Sequence, residues 1–189
     1  MFCLTYLWRA GLGVRGMWRN SNRRVFFVAL ALLVVAPLFL HPAGARELVV
    51  YERSARPGSI IVATSERRLY LVVAKGRAVS YPIGVGRQGL QWSGVSNIEA
   101  MFLSPNWAPP AEVLRDRPTL PAVVPGGSPA NPMGAAAMTL KGGKYAIHGT
   151  NDPTSIGGFV SYGCIRMLNE DVLDLMARVR VGTLVIVKP

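Results

Sequence analysis

The stretch that decides the reading runs from Tyr145 to Arg166: YAIHGTNDPTSIGGFVSYGCIR. It opens on a short apolar run, Tyr145–His148, which reads as a strand entering Gly149. It closes on Ser161-Tyr162-Gly163-Cys164-Ile165-Arg166, where a thiol follows a glycine and stands two residues from a cation. Glycine permits a tight turn and close approach of a substrate. A nearby arginine favours the thiolate, the nucleophilic form of cysteine. His148 lies sixteen residues before Cys164. A thiol nucleophile needs a base that takes its proton and later delivers it to the leaving group. Each residue also has a structural reading. Free cysteine is among the most buried residue types, and a single histidine on an apolar strand is often simply packed there.

What else the chain holds narrows the choice. It has 189 residues and a net charge of +11, with half its residues hydrophobic and only 16% charged. That hydrophobicity excludes a disordered chain, and the length fits one domain. Residues Val25 to Leu40, VFFVALALLVVAPLFL, are sixteen apolar residues preceded by Arg19, Arg23 and Arg24 and followed by Ala43-Gly44-Ala45. A positive start, a short apolar core and a small-x-small site are the three parts of a secretory signal. A membrane-spanning helix needs about 20 apolar residues, and Pro37 interrupts this run. The expectation is a signal peptide over 1–45 cleaved after Ala45, with Met17 as an alternative start. An uncleaved anchor is the competing reading, and on it alone would the protein touch a membrane. The catalytic or binding domain is then 46–189, exported to the periplasm or cell envelope.

Cleavage changes the arithmetic. The first 45 residues hold five arginines and no acid, so the remaining 144 carry +6. They contain no Lys/Arg cluster with interleaved aromatics, and nucleic acid is not an expected partner. Loss of Cys3 and His41 leaves Cys164 and His148 as the one cysteine and one histidine. If thiol catalysis occurs, that pairing is forced. A zinc site needs three or four ligands, so no metal is expected, and no motif calls for another cofactor.

Around the central stretch, Glu47–Glu52, Ser59–Thr64, Arg68–Ala74 and Ala78–Val85 are short runs rich in Val, Ile and Tyr. Lys75-Gly76 reads as a hairpin turn between the last two. Thr183–Val187 is a final strand, and short strands separated by turns imply an all-β sandwich or barrel. Ser104 to Asn131 carries seven prolines and Gly126-Gly127, with a helix start at Pro110. Irregular stretches of this length are lids, binding loops or plain covering loops. One helix stands out after Asn169, which reads as its N-cap. Val172, Leu175, Met176 and Val179 make its apolar stripe.

Ile147-His148-Gly149-Thr150-Asn151 with Ser161-Tyr162-Gly163-Cys164-Ile165-Arg166 resembles the signature of the L,D-transpeptidase (YkuD-like) catalytic domain family. Ile83-Gly84-Val85-Gly86 and Asn131-Pro132-Met133-Gly134 add to the likeness, which covers roughly 58–188. The resemblance implies a mainly β fold, a β-sandwich or irregular barrel with one or two short helices. It also implies a cysteine acyltransferase acting on peptidoglycan stem peptides. Cys164 would be the nucleophile, His148 the base and acid, and the Gly149 carbonyl the group that orients His148. Backbone N–H groups of Gly163 and Cys164 would stabilise the oxyanion, one such donor being worth about 3 kcal/mol. Arg166 would bind a substrate carboxylate or brace the loop. Ser161, Tyr162, Tyr145, Thr150 and Asn151 are pocket candidates, each with local backbone hydrogen bonding as its alternative role. The acceptor would be a stem amine or a lysine of an outer-membrane lipoprotein.

Two departures stand out. The family usually has His at position 162, where this chain has Tyr. Gln91-Trp92-Ser93-Gly94 replaces a Thr-Pro-rich turn on the expected substrate side. Hydrolysis of the same acyl-enzyme (a carboxypeptidase or endopeptidase) and a silent peptidoglycan-binding module remain alternatives. A basic membrane-surface protein held by an uncleaved 25–40 helix is a third.

Overall fold

A computed structural model describes residues 46–189. The expected signal peptide, its cleavage site and the start at Met17 lie outside the described residues.

The strands are β1 (Glu47–Val50), β2 (Ile60–Ala63), β3 (Arg68–Ala74), β4 (Arg77–Pro82), β5 (Val85–Gly86) and β6 (Gly94–Leu103). After helix α1 (Ala111–Asp116) come β7 (Ala136–Leu140), β8 (Ala146–His148), β9 (Phe159–Ser161) and β10 (Ile165–Arg166). Helix α2 (Asn169–Arg178) and β11 (Leu184–Lys188) complete the domain. Nine strands form one open mixed sheet in the order β1-β4-β3-β2-β11-β6-β7-β8-β10, while β5 and β9 pair separately. The fold is therefore mainly β with two short helices, as expected. The sheet remains open at β1 and β10 and does not close into a barrel.

The β3–β4 hairpin turns at Lys75-Gly76, with Gly76 at φ 76°. Strand β11 runs parallel to β2 and antiparallel to β6, in the middle of the sheet. Residues from both halves of the sheet, among them Ile60, Leu69, Met138 and Ile147, meet Val172 and Leu175 of α2 in one core. This is the burial expected from the apolar stripe, and it supplies the main drive to fold.

Strands β6 and β7 escaped the sequence reading for a physical reason. Only Ile98 of the ten residues in β6 is buried, so the period-two alternation is missing. Strand β7, AAMTL, is alanine-rich and of low β-propensity. The run expected over Ala78–Val85 is divided. Strand β4 ends at Pro82, and Gly84 exchanges two backbone hydrogen bonds with Arg166 (2.9 and 2.8 Å).

The proline-rich segment crosses one end of the sheet. Asn131, 1% exposed, ties its ends by donating to the carbonyls of Pro105 and Pro125 (2.9 and 3.0 Å). Trp107 and Val124 pair across it. Helix α1 begins directly after Pro110, as the sequence implied.

Candidate active site

His148 is the last residue of β8, and the parallel pairing of β8 with β10 sets it beside Arg166. His148 is 4% exposed. Its Nδ1 lies 2.7 Å from the Gly149 carbonyl. A carbonyl only accepts, so Nδ1 carries the proton and Nε2 is the ring's basic nitrogen. Burial, with the Arg166 charge added, lowers the His148 pKa from 6.5 to about 4, against the opposing pull of the Gly149 and Pro132 carbonyls. The imidazole is neutral at pH 7.

Cys164 sits in the loop between β9 and β10, is half-buried and forms no disulfide among the described residues. Burial pushes its thiol above the ordinary value, which outweighs a backbone hydrogen bond with Ala146 and the Arg166 charge. The expectation that Arg166 draws out the thiolate thus meets a stronger opposing effect. At rest the pair is a neutral thiol and a neutral imidazole.

The loop carrying Cys164 is held from two sides. Ser161 Oγ donates to the Cys164 carbonyl (2.6 Å) and accepts the Gly163 N–H (3.1 Å). The Gly163 amide, one of two expected oxyanion donors, is thus already engaged. The Cys164 N–H meets no protein acceptor among the described residues. Behind the loop, Trp92 Nε1 donates to the Gly163 carbonyl (2.9 Å) and stacks on Tyr145 with ring centroids 4.5 Å apart. Gly163 has φ 115°, and a Cβ there would lie 2.5 Å from the Tyr145 ring. Tyr145 and Trp92, from the Gln91–Gly94 segment, therefore support the loop from the core side. They do not line the cavity onto which Cys164 opens.

That cavity measures about 620 Å³, and His148, Asn151, Ser161, Tyr162, Cys164 and Arg166 all face it. Arg166 Nε is buried with no hydrogen-bond partner among the described residues. Burial lowers the Arg166 pKa, and Asp152 partly restores it. Thr150 stands apart: it is 1% exposed, and its hydroxyl accepts the Asp152 N–H (3.0 Å). Asn151 Nδ2 donates to the Pro129 carbonyl (3.1 Å), joining the histidine loop to the proline-rich segment.

That segment forms the opposite wall through Trp107, Pro110, Val113 and Arg117. The Tyr162 hydroxyl donates to Asp116 Oδ2 at the end of α1. The same oxygen accepts Arg87 Nη2 (2.8 Å), and the Arg87 guanidinium lies 4.2 Å from the Tyr162 ring centroid. Tyr162, at the family's histidine position, is thus a wall residue with its hydroxyl committed to Asp116. Arg87 and Asp116 carried no motif and were not legible in advance.

Asn169 differs from its expected role. Leu168 occupies the N-cap position of α2 and makes no side-chain cap bond, while Asn169 is the first helical residue. Its Oδ1 accepts the N–H groups of Ala135 (3.0 Å) and Thr150 (3.1 Å).

A small mainly β domain in which one cysteine and one histidine face a shared cleft is the class this geometry defines. The family model described as YkuD, L,D-transpeptidase catalytic domain, matches residues 57–187, and the chain belongs to that family. A probable L,D-transpeptidase, ErfK/SrfK, of Salmonella typhimurium is 40% identical over 153 residues, covering 75% of this chain and 49% of that protein. The chain spans about half the length of the curated relatives it matches. Among solved structures, L,D-transpeptidase 3 from Mycobacterium tuberculosis superposes with a TM-score of 0.52 at 15% identity, covering 69% of this chain and 60% of that one. A probable carnitine operon oxidoreductase, caia, from Brucella melitensis matches at 38% identity and a TM-score of 0.52, over 76% of this chain and 93% of that one.

Proposed function

We propose that this chain is an exported cysteine L,D-transpeptidase acting on peptidoglycan stem peptides. One observation carries the reading: Cys164, His148 and Arg166, whose Nε has no hydrogen-bond partner among the described residues, face a single cavity, with His148 held in the tautomer that leaves Nε2 basic. The Cys164 proton passes to Nε2 as Sγ bonds to the carbonyl carbon of the third stem residue. The Cys164 N–H is the candidate donor to the oxyanion. The C–N bond to the terminal D-residue then breaks, and His148 returns the proton to the leaving amine. An acceptor amine, from another stem or a lipoprotein lysine, attacks the thioester carbonyl. Its proton travels through His148 to the departing sulfur, which regenerates the thiol. Because the resting pair is neutral, proton transfer accompanies attack. Arg166 is suited to pair with a substrate carboxylate.

Intact-mass measurement with a carbapenem or a tetrapeptide stem tests the reading. A covalent adduct is expected on the wild type and none on Cys164→Ala. No adduct on a folded wild type would sink the enzyme reading and leave the silent binding module. Product analysis with and without an acceptor amine separates transfer from hydrolysis. For export, amino-terminal sequencing of the processed protein is expected to begin at Arg46, and a distant start would overturn that boundary.

A further inference from the structure

Asn169 Oδ1 holds two backbone segments at once. The Ala135 N–H lies just before β7, and the Thr150 N–H lies just after the His148-Gly149 turn. Both approaches depend on missing side chains, because a Cβ at Gly134 or Gly149 would overlap this same oxygen. The backbone here is thus shaped around the Asn169 amide.

The Thr150 N–H and the Gly149 C=O belong to one peptide unit, and that unit is planar with the two groups on opposite edges. Asn169 Oδ1 grips the N–H edge (3.1 Å), and the C=O edge accepts His148 Nδ1–H (2.7 Å). A relay runs from Asn169 Oδ1 through the Gly149–Thr150 peptide to the His148 ring. An acceptor on the N–H edge also polarises the peptide, which makes its carbonyl a better acceptor. The neighbouring contacts fix the same region: Gly149 N–H donates to the Ala136 carbonyl and Met167 N–H to the His148 carbonyl (2.9 and 2.8 Å).

We infer that Asn169 is a positioning residue that sets the tautomer and ring orientation of His148 through the Gly149–Thr150 peptide plane. Its catalytic consequence rests on the proposed role of His148 as the base, whereas the relay itself does not. With Oδ1 removed, that plane is free to rotate about its flanking bonds, and the Gly149 carbonyl loses its aim at Nδ1. Other titratable or charged groups facing the cavity around the ring are Cys164, Arg166, Asp152, Arg87, Arg117 and Tyr162. None of them hydrogen-bonds Asn169.

The experiment compares Asn169→Ala and Asn169→Asp with the full chain. Imidazole nitrogen NMR reads the His148 tautomer and its pKa, alongside kcat and KM. In a folded Asn169→Ala protein, His148 is expected to lose its single Nδ1–H form and exchange that proton faster. Its kcat should fall roughly 10- to 100-fold with KM little changed, as for other partners that orient a functional histidine. Asp keeps an acceptor oxygen in place, so Asn169→Asp should retain the Nδ1–H form. Its added negative charge should raise the His148 pKa and move the acid limb of the pH profile upward. A wild-type His148 spectrum in folded Asn169→Ala would overturn the inference. Should that variant fail to fold, an unchanged His148 pKa or a lost Nδ1–H form in Asn169→Asp would overturn it equally. If wild type proves inactive while its tautomer still depends on Asn169, the proposed function falls and the relay stands.

Discussion

The His148 side of the cavity is held by hydrogen bonds among buried residues, backed by Asn169 at the surface, and the α1 side by exposed charges. On the first side, His148 and Thr150 are buried, and the loop closes on Asn169, Ala136 and Met167 through short bonds to main-chain groups. On the second, Arg87 and Asp116 are each 46% exposed at the side chain, and Tyr162 completes the contact. Buried, satisfied polar networks are costly to disturb because each lost partner strands a desolvated group. Exposed ion pairs are screened and exchange readily with water. One wall is therefore built to keep its geometry, and the other to be released at small cost. That division suits the proposed function, in which the reacting groups stay in register while a bulky substrate enters and leaves.

The largest effect that bears on this contrast is expected from the rigid wall. His148→Ala should lower turnover by about 100-fold or more, the usual worth of a positioned general base. Steady-state rates with a stem substrate check it. Near-normal turnover would show that His148 is not the base.

Acid separates the walls by pH window. His148 binds its proton at about 4 when folded and near 6.5 when unfolded. Between those values the unfolded chain holds more protons, so stability falls as pH drops from 6.5 toward 4, by at most ~1.4 kcal/mol per pH unit. Asp116 acts in the same direction but in a lower window, since its bonds to Tyr162 and Arg87 lower its pKa from 3.8. Its contribution is intact above 3.8 and is lost only as pH falls through its still lower folded value. Urea titrations across pH 4–7 on the wild type and His148→Gln check the assignment. The slope should flatten in the variant, and an equal slope in both would remove His148 as its source.

The smallest effect is expected from the outer wall. Asp116→Ala should leave the melting temperature almost unchanged, yet speed labelling of Cys164 by a bulky thiol reagent several-fold. Labelling by a small reagent should change less. Equal acceleration of both reagents, or of neither, would mean that α1 does not restrict entry.

How far the sequence foretold this depends on where the information lies. The His148 and Cys164 motifs were legible because the chemistry demands those residue types. The β3–β4 hairpin and the stripe of α2 were legible because glycine turns and apolar periodicity are local signals. Asn169 was misread because an asparagine ahead of an apolar helical run looks like an N-cap. Its true contacts lie 19 and 34 residues away in the chain. Tyr162 read as an unexplained replacement, since its partner Asp116 is 46 residues distant. Strands β6 and β7 hid because half-exposed residues and alanines leave no alternation to see.

The central place of β11 bears on how the molecule comes into being. The block β1-β4-β3-β2 and the block β6-β7-β8-β10 are joined within the sheet only through this strand. A growing chain can hold every proposed catalytic residue and still lack the seam between its two halves. Residues Leu184–Lys188 must be delivered before the sheet is whole, and their pairing with β2 spans more than 120 residues of chain. Such distant closure is slow, because the loop entropy is lost before the contacts repay it. Within this domain the sheet consequently stays open until β11 has been made and paired, whatever has already folded around the thiol.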